Sequence, residues 1–168
     1  MKKMFYNVSE MFDITQSHLK NTSGVYDFEE IEERIQRYSN FCYRVIANKR
    51  LQTTNSEFLW MFITLIVHGQ RELYLLNNYL TSKIKISTEV EKFCSHAREI
   101  FELIKKAYFE KNVSLLAKVN KIEKSLLYNE GYTLLQESKK HDNVALYYLM
   151  SSIRKFYQAN SPLSGLLL

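Results

Sequence analysis

Glycine and proline are nearly missing from this chain: four Gly and a single Pro, Pro162, in 168 residues. Both residues punctuate turns, so their scarcity implies long elements that are rarely interrupted. Sheet proteins need many more turns, so a β architecture is disfavoured and helices are expected. Cysteine is as sparse. Cys42 and Cys94 stand far apart with no CxxC, too few for a disulfide framework. The opening MKKMFYNVSEMF carries positive charge but no apolar h-region behind it, so no secretory signal is read there. The longest apolar run, FLWMFITLIV from Phe58 to Val67, falls far short of the ~20 residues a membrane-spanning helix needs. A soluble, cytoplasmic chain is therefore expected, not transmembrane, with reduced cysteines packed as small hydrophobes.

Catalytic signatures are missing as well. Gly24, Gly69, Gly131 and Gly165 form neither G-x-G-x-x-G nor a Walker loop, and H-E-x-x-H does not occur. His18, His68, His96 and His141 are scattered. His68 and Glu72 share a helix face at a spacing of four, but one such pair arises readily by chance. His96 lies two residues from Cys94, on a different face, so it does not activate that thiol. The acidic run around Glu29, Glu30, Glu32 and Glu33 suits a helix start, where the dipole favours negative charge. No enzyme, cofactor or metal is expected. The net charge of +5 is mild and spread out, with no run of three basic residues, so a solvated helical surface is favoured over a nucleic-acid patch.

What is present is helical periodicity. Hydrophobic residues make up 46% of the chain and aromatic residues 14%, enough for a core. Five blocks carry apolar stripes at helical spacing: about 28–49 (Ile31, Ile35, Tyr38, Cys42, Val45), 56–82 (Leu59, Ile63, Ile66, Leu73, Leu80), 89–111 (Phe93, Ala97, Ile100, Ile104, Tyr108), 113–138 (Leu115, Val119, Ile122, Leu126, Leu134) and 142–161 (Leu146, Leu149, Ile153, Phe156, Tyr157). A weaker sixth spans about 7–20. The 3–4 alternation is the seam of a bundle. Asn55–Ser56, Ser87–Thr88 and Asp142–Asn143 are read as helix starts, since short acceptor side chains cap free amides. The links NTSGVYD, KRLQTT, KIKIS and SKKHD are short, which makes neighbouring helices antiparallel. Pro162 reads as a helix stop, followed by an apolar tail that packs on the bundle or on a second subunit.

The helices also repeat. Arg71 to Asn77 and Arg154 to Asn160 both read R-x-[LF]-Y-x-x-N, 83 residues apart. The same offset sets Tyr26–Asp27 on Phe109–Glu110. An offset of 82 sets Val8 and Met11 on Val90 and Phe93, and one of 84 sets Ile31 and Ile35 on Leu115 and Val119. The expected architecture is an all-α antiparallel bundle in one domain, built from two tandem three-helix units at 8–82 and 89–164.

That layout resembles the PhoU family of phosphate-uptake regulators, over nearly the whole chain. The third helix of each PhoU unit carries R-x-x-E-x-x-x-D, which Arg71, Tyr74 and Asn78 and again Arg154, Tyr157 and Ser161 resemble in spacing. The segment from Val90 to Leu166, with Lys121-Ile122-Glu123 on its middle helix, looks like a second such unit. The resemblance implies a regulator that binds other proteins, with a phosphate transporter or a signalling kinase as partner. It does not carry over the family's metal clusters. Both acidic positions of both units are replaced, and phenol, amide and hydroxyl lack the charge a hard cation needs.

Residues at i, i+3 and i+7 share a helix face, so each triplet forms either a polar binding surface or part of the hydrogen bonding between helices. Gln70, Asn77 and Asn160 continue the seams as polar residues of the kind that specify register. Of the twelve tyrosines, Tyr128, Tyr132, Tyr147, Tyr148 and Tyr157 fall in helical blocks; most are read as core or boundary residues, and some as a helical face suited to protein contacts. The alternative function is a helical nucleic-acid-associated protein. A homodimer is left open.

Overall fold

A computed structural model describes residues 1–22, 27–48, 55–80 and 84–168, and all regular structure among them is helical. Helix α1 covers Lys2–Leu19, α2 Phe28–Ala47, α3 Ser56–Tyr79 and α4 Thr88–Glu110. Helix α5, Ser114–Ser125, runs through a π-helical segment, Leu126–Gly131, into α6, Tyr132–Glu137. Helix α7, Lys140–Gln158, is followed by α8, Asn160–Leu167. The result is a bundle of six rods, with α5 to α6 forming one and α8 extending α7. Among the described residues no helix is long and apolar enough to cross a membrane.

Helices α1, α2 and α3 each pack on the other two, as do α4, α5 and α7. The two groups meet mainly where α3 lies along α7 and α8, and where α1 crosses onto α4. Helices consecutive in the chain run antiparallel, as short links require, whereas the first and third of each group run parallel: Phe5 meets Phe62 and His18 meets Asn77 between α1 and α3, and Ser87 meets Asp142 and Phe101 meets Phe156 between α4 and α7. The link at 49–54 and the Tyr26 position of the repeat lie outside the described residues.

One buried core joins all the helices. Phe5, Phe12, Phe62, Phe93, Phe101 and Phe156 are fully buried within it. Phe12, Phe101 and Phe156 form a ring cluster with centroids 5.2–5.9 Å apart, in the tilted geometry aromatic quadrupoles favour. Helix α1 starts five residues before the periodic block, because Met4 and Phe5 are buried and extend its apolar stripe. Cys94 is buried and Cys42 half-buried, both packed as small apolar groups.

Three local readings are corrected. Asp142 does not cap its own helix. Helix α7 already begins at Lys140, and the Asp142 carboxylate accepts the Ser87 amide at 3.0 Å, tying α7 to the start of α4. Asn55 precedes α3 as expected, but its side-chain amide donates to the Gly165 carbonyl. Pro162 does not stop the helix. The chain bends at Ala159 and resumes, with Pro162 in the first turn of α8, where a missing amide hydrogen breaks no bond. The tail then packs back on α3: Leu163 is buried and Gly165 lies against Phe58.

The α3–α7 contact requires a glycine. A Cβ on Gly69 would lie 2.6 Å from the Phe156 ring. Ser152 fills the space beside it and donates its hydroxyl to the Gly69 carbonyl at 2.8 Å. The partners in this bond are 83 residues apart. Where α1 meets α4, Gln16 bonds Ser95 at 3.1 Å, Arg98 pairs with Asp13 at 2.6 Å, and Arg98 also donates to Gln16, 82 residues away.

Candidate interaction surface

The solvent faces of α3 and α7 carry the two triplets. Arg71 is exposed, with no hydrogen bond or ion pair among the described residues. Tyr74 is half-buried, its ring 5.8 Å from Phe28 of α2. Asn78 donates to the Tyr74 carbonyl at 3.3 Å, a bond within its own helix. On α7, Arg154 is exposed and donates to the Tyr132 hydroxyl at 3.4 Å. Tyr157 is half-buried, and Ser161 is exposed in the first turn of α8. Among the described residues that Asn78–Tyr74 bond, from a side chain to the backbone, is the one side-chain hydrogen bond within either triplet.

Apart from the Arg154–Tyr132 bond, hydrogen bonding between helices falls to other residues. Asn77 is its hub: it donates to Thr15 at 2.9 Å and to the Leu73 carbonyl, and its oxygen meets His18 Nδ1 at 2.9 Å. The amide oxygen accepts, so His18 carries its proton on Nδ1 for this bond. Of the other two polar seam residues, among the described residues Gln70 has no partner for either amide atom and Asn160 has none for its oxygen. Asn77 therefore joins α3 to α1, whereas Gln70 is an orphan in the core.

Around Arg154 lies a second set of residues that the repeat did not point to. Glu123 is nearly fully buried on the inner face of α5. Burial pushes its carboxyl above the usual range, against the lowering effects of Lys124 and Arg154. Its position was legible: Leu116, Val119 and Glu123 recur at 3–4 spacing, so the core stripe runs through a carboxylate. The π segment was not legible. It adds a residue to the turn, so both Leu126 and Leu127 face inward while Tyr128 and Tyr132 stay exposed with their rings edge to face, 6.0 Å apart. Such turns inside helices recur at functional sites.

Beside this turn a groove of about 470 Å³ lies between α4 and α5, lined by His96, Glu99, Lys118, Lys121 and Glu130. His96 Nδ1 is 3.6 Å from the Glu130 carboxylate. The groove mixes both charge signs and suits polar contacts with a partner. Among the described residues no three His, Cys, Asp or Glu side chains converge as a metal site. His68 and Glu72, the pair on α3, make no bond to each other.

No family model, curated protein or solved structure matches this chain.

Proposed function

We propose that this chain is a non-enzymatic regulatory protein of PhoU-like design that acts through protein–protein contacts, with phosphate uptake or signalling as its setting. The observation that carries the reading is reciprocal pairing at the repeat offset. Gly69 and Ser152 are equivalent positions 83 residues apart, and they bond each other. Gln16 and Arg98, equivalent at 82, also bond each other. Adding 82 to Gln16 and subtracting it from Ser95 turns the Gln16–Ser95 bond into the Arg98–Asp13 pair. Residue i meeting j while j's equivalent meets i's is the mark of a two-fold interface. This supports two tandem units, 8–82 and 89–164, related by a pseudo-two-fold. The chain then offers helical faces rather than a closed pocket. Its exposed aromatic residues Tyr128, Tyr132 and Tyr147 are of a type enriched where proteins meet.

A second reading has one observation in its favour. Lys118, Lys121, Lys124 and Tyr128 all lie on the exposed side of α5 and the π segment. A row of basic side chains ending on an exposed aromatic ring suits single-stranded nucleic acid.

Affinity capture with the tagged full chain separates the two. The capture uses native cells, includes detergent-solubilised membranes, and compares nuclease-treated with untreated samples. Retrieval of a transport or kinase component that survives nuclease supports the regulator. Retrieval of nucleic acid that is lost on raising salt supports the second reading, because phosphate contacts release counterions. Recovery of neither removes the support for both.

A further inference from the structure

Helix α3 has more apolar surface than its own bundle covers. An ordinary surface helix shows one apolar stripe toward the core and a polar face outward. Here the ten-residue run from Phe58 to Val67 colours both sides. Leu59, Phe62, Ile63 and Ile66 are buried in the core. On the outer side Glu57, Trp60, Met61, Thr64, Leu65 and His68 follow at 3–4 spacing and, with Ile46 of α2, line an open cleft of about 530 Å³. Met61 remains 53% exposed and Trp60 43%.

Trp60 is held rather than loose. Its ring packs on Tyr43 with centroids 4.4 Å apart. Thr64 donates to the Trp60 carbonyl, so the Tyr43 hydroxyl donates to Thr64 Oγ1 at 3.0 Å. A rigid aromatic residue in an apolar cleft is the usual anchor of a protein interface.

The stripe is complementary to itself. Laid antiparallel on a second copy, it sets Trp60 opposite Leu65, Met61 opposite Thr64, and Glu57 opposite His68. Every position then finds a match, the apolar residues lie at the centre, and an acid faces a histidine at each end. A two-fold contact requires that one patch complement itself in this way. We propose that a second copy of this chain docks on the outer face of α3, pairing the two α3 helices antiparallel about the Met61–Thr64 step. The proposal stands on this stripe alone and does not depend on the regulator reading.

The test uses the full chain and its one tryptophan, Trp60. Sedimentation velocity is run across the micromolar range, with Trp60 emission read on the same samples. The expected result is a concentration-dependent mass of twice 20.0 kDa, with emission moving to shorter wavelength as the dimer forms. Met61→Lys places a charge at the centre and should weaken the dimer by roughly tenfold or more, while thermal melting of the monomer stays unchanged because Met61 is exposed. His68→Glu sets like charges against Glu57 at both ends and should also weaken it. Adding Glu57→Lys should restore it, a rescue that a folding defect would not show. A single-chain mass at all concentrations would overturn the proposal, as would a dimer indifferent to both Met61→Lys and the charge reversal. A Trp60 blue shift on phosphatidylglycerol vesicles from a protein that stays monomeric would overturn it in favour of a membrane surface.

Discussion

Replacing Gln70 by methionine should stabilise this protein, although it removes a polar group from a position that looks chosen for register. Gln70 lies on the inner face of α3 with 0% of its surface exposed. Neither its amide nitrogen nor its oxygen has a hydrogen-bond partner among the described residues. Its buried neighbours one turn away on the helix are Ile66 and Leu73. A buried polar group left unsatisfied costs about 1–3 kcal/mol in desolvation. Methionine has nearly the same length and helix propensity, and a volume-conserving swap usually costs less than about 1.5 kcal/mol.

The net expectation is a gain of roughly 1–2 kcal/mol, which at this chain length is about 2–8 °C in melting temperature. The chain contains its own precedent: the position 83 residues on is Ile153, apolar and fully buried. Calorimetry and urea unfolding of Gln70→Met measure the effect. Gln70→Ala separates the two contributions, since it removes the amide but leaves a cavity, and it should be less stable than the methionine variant. A melting temperature lowered by Gln70→Met would refute the argument. It would mean that the amide is satisfied, by a buried water for example, and that the core is wet at this point.

Four further outcomes are expected. Gly69→Ala should destabilise by about 1–3 kcal/mol, because its Cβ would meet Phe156 at 2.6 Å and that ring is fully buried. Gly165→Ala should be near neutral by the same melting assay, because the Phe58 ring it meets is 43% exposed and can swing aside. Glu123→Gln should stabilise the protein at neutral pH, with the advantage shrinking on acidification. Burial raises the folded-state pKa, so the folded form binds the proton more tightly than the unfolded form. Stability is then lost as pH rises from the unfolded pKa through the raised folded one. Urea unfolding across acid to neutral pH reads this difference, and a pH-independent difference would count against it. Cys94, whose thiol burial pushes to about 12, should resist alkylation in the native protein and react only on unfolding. Mass spectrometry after brief iodoacetamide treatment with and without denaturant checks this.

Much of the bundle could be read along the chain because helices declare themselves locally. The five clear stripes lie on core faces, except that Tyr38, Cys42, Val45, Tyr108, Ile122, Leu134 and Tyr157 are only partly buried. The antiparallel order of consecutive helices followed from short links. The R-x-[LF]-Y-x-x-N match located α3 and α7, the helices that pack most closely between the two groups. The exposed residues within that match were harder to read. A spacing of 3 and 4 puts Arg71, Tyr74 and Asn78 on one side of a helix, but it does not say what stands opposite. Phe28 turned out to stand against Tyr74, and Tyr132 against Arg154.

Sequence by itself determined the helical class, the approximate extent of the helices and the candidate repeat, since propensity, capping and period are properties of neighbouring residues. Only the tertiary structure decided that Ser152 bonds Gly69, that Asp142 serves the start of α4 rather than its own helix, and that Gln70 is orphaned while Asn77 is satisfied. It also decided that the outer face of α3 lines an open cleft. Each of these depends on which side chain arrives from a distant part of the chain, and at what distance. Apolar period and residue type leave that choice open, whereas close packing of helices fixes it to within an ångström.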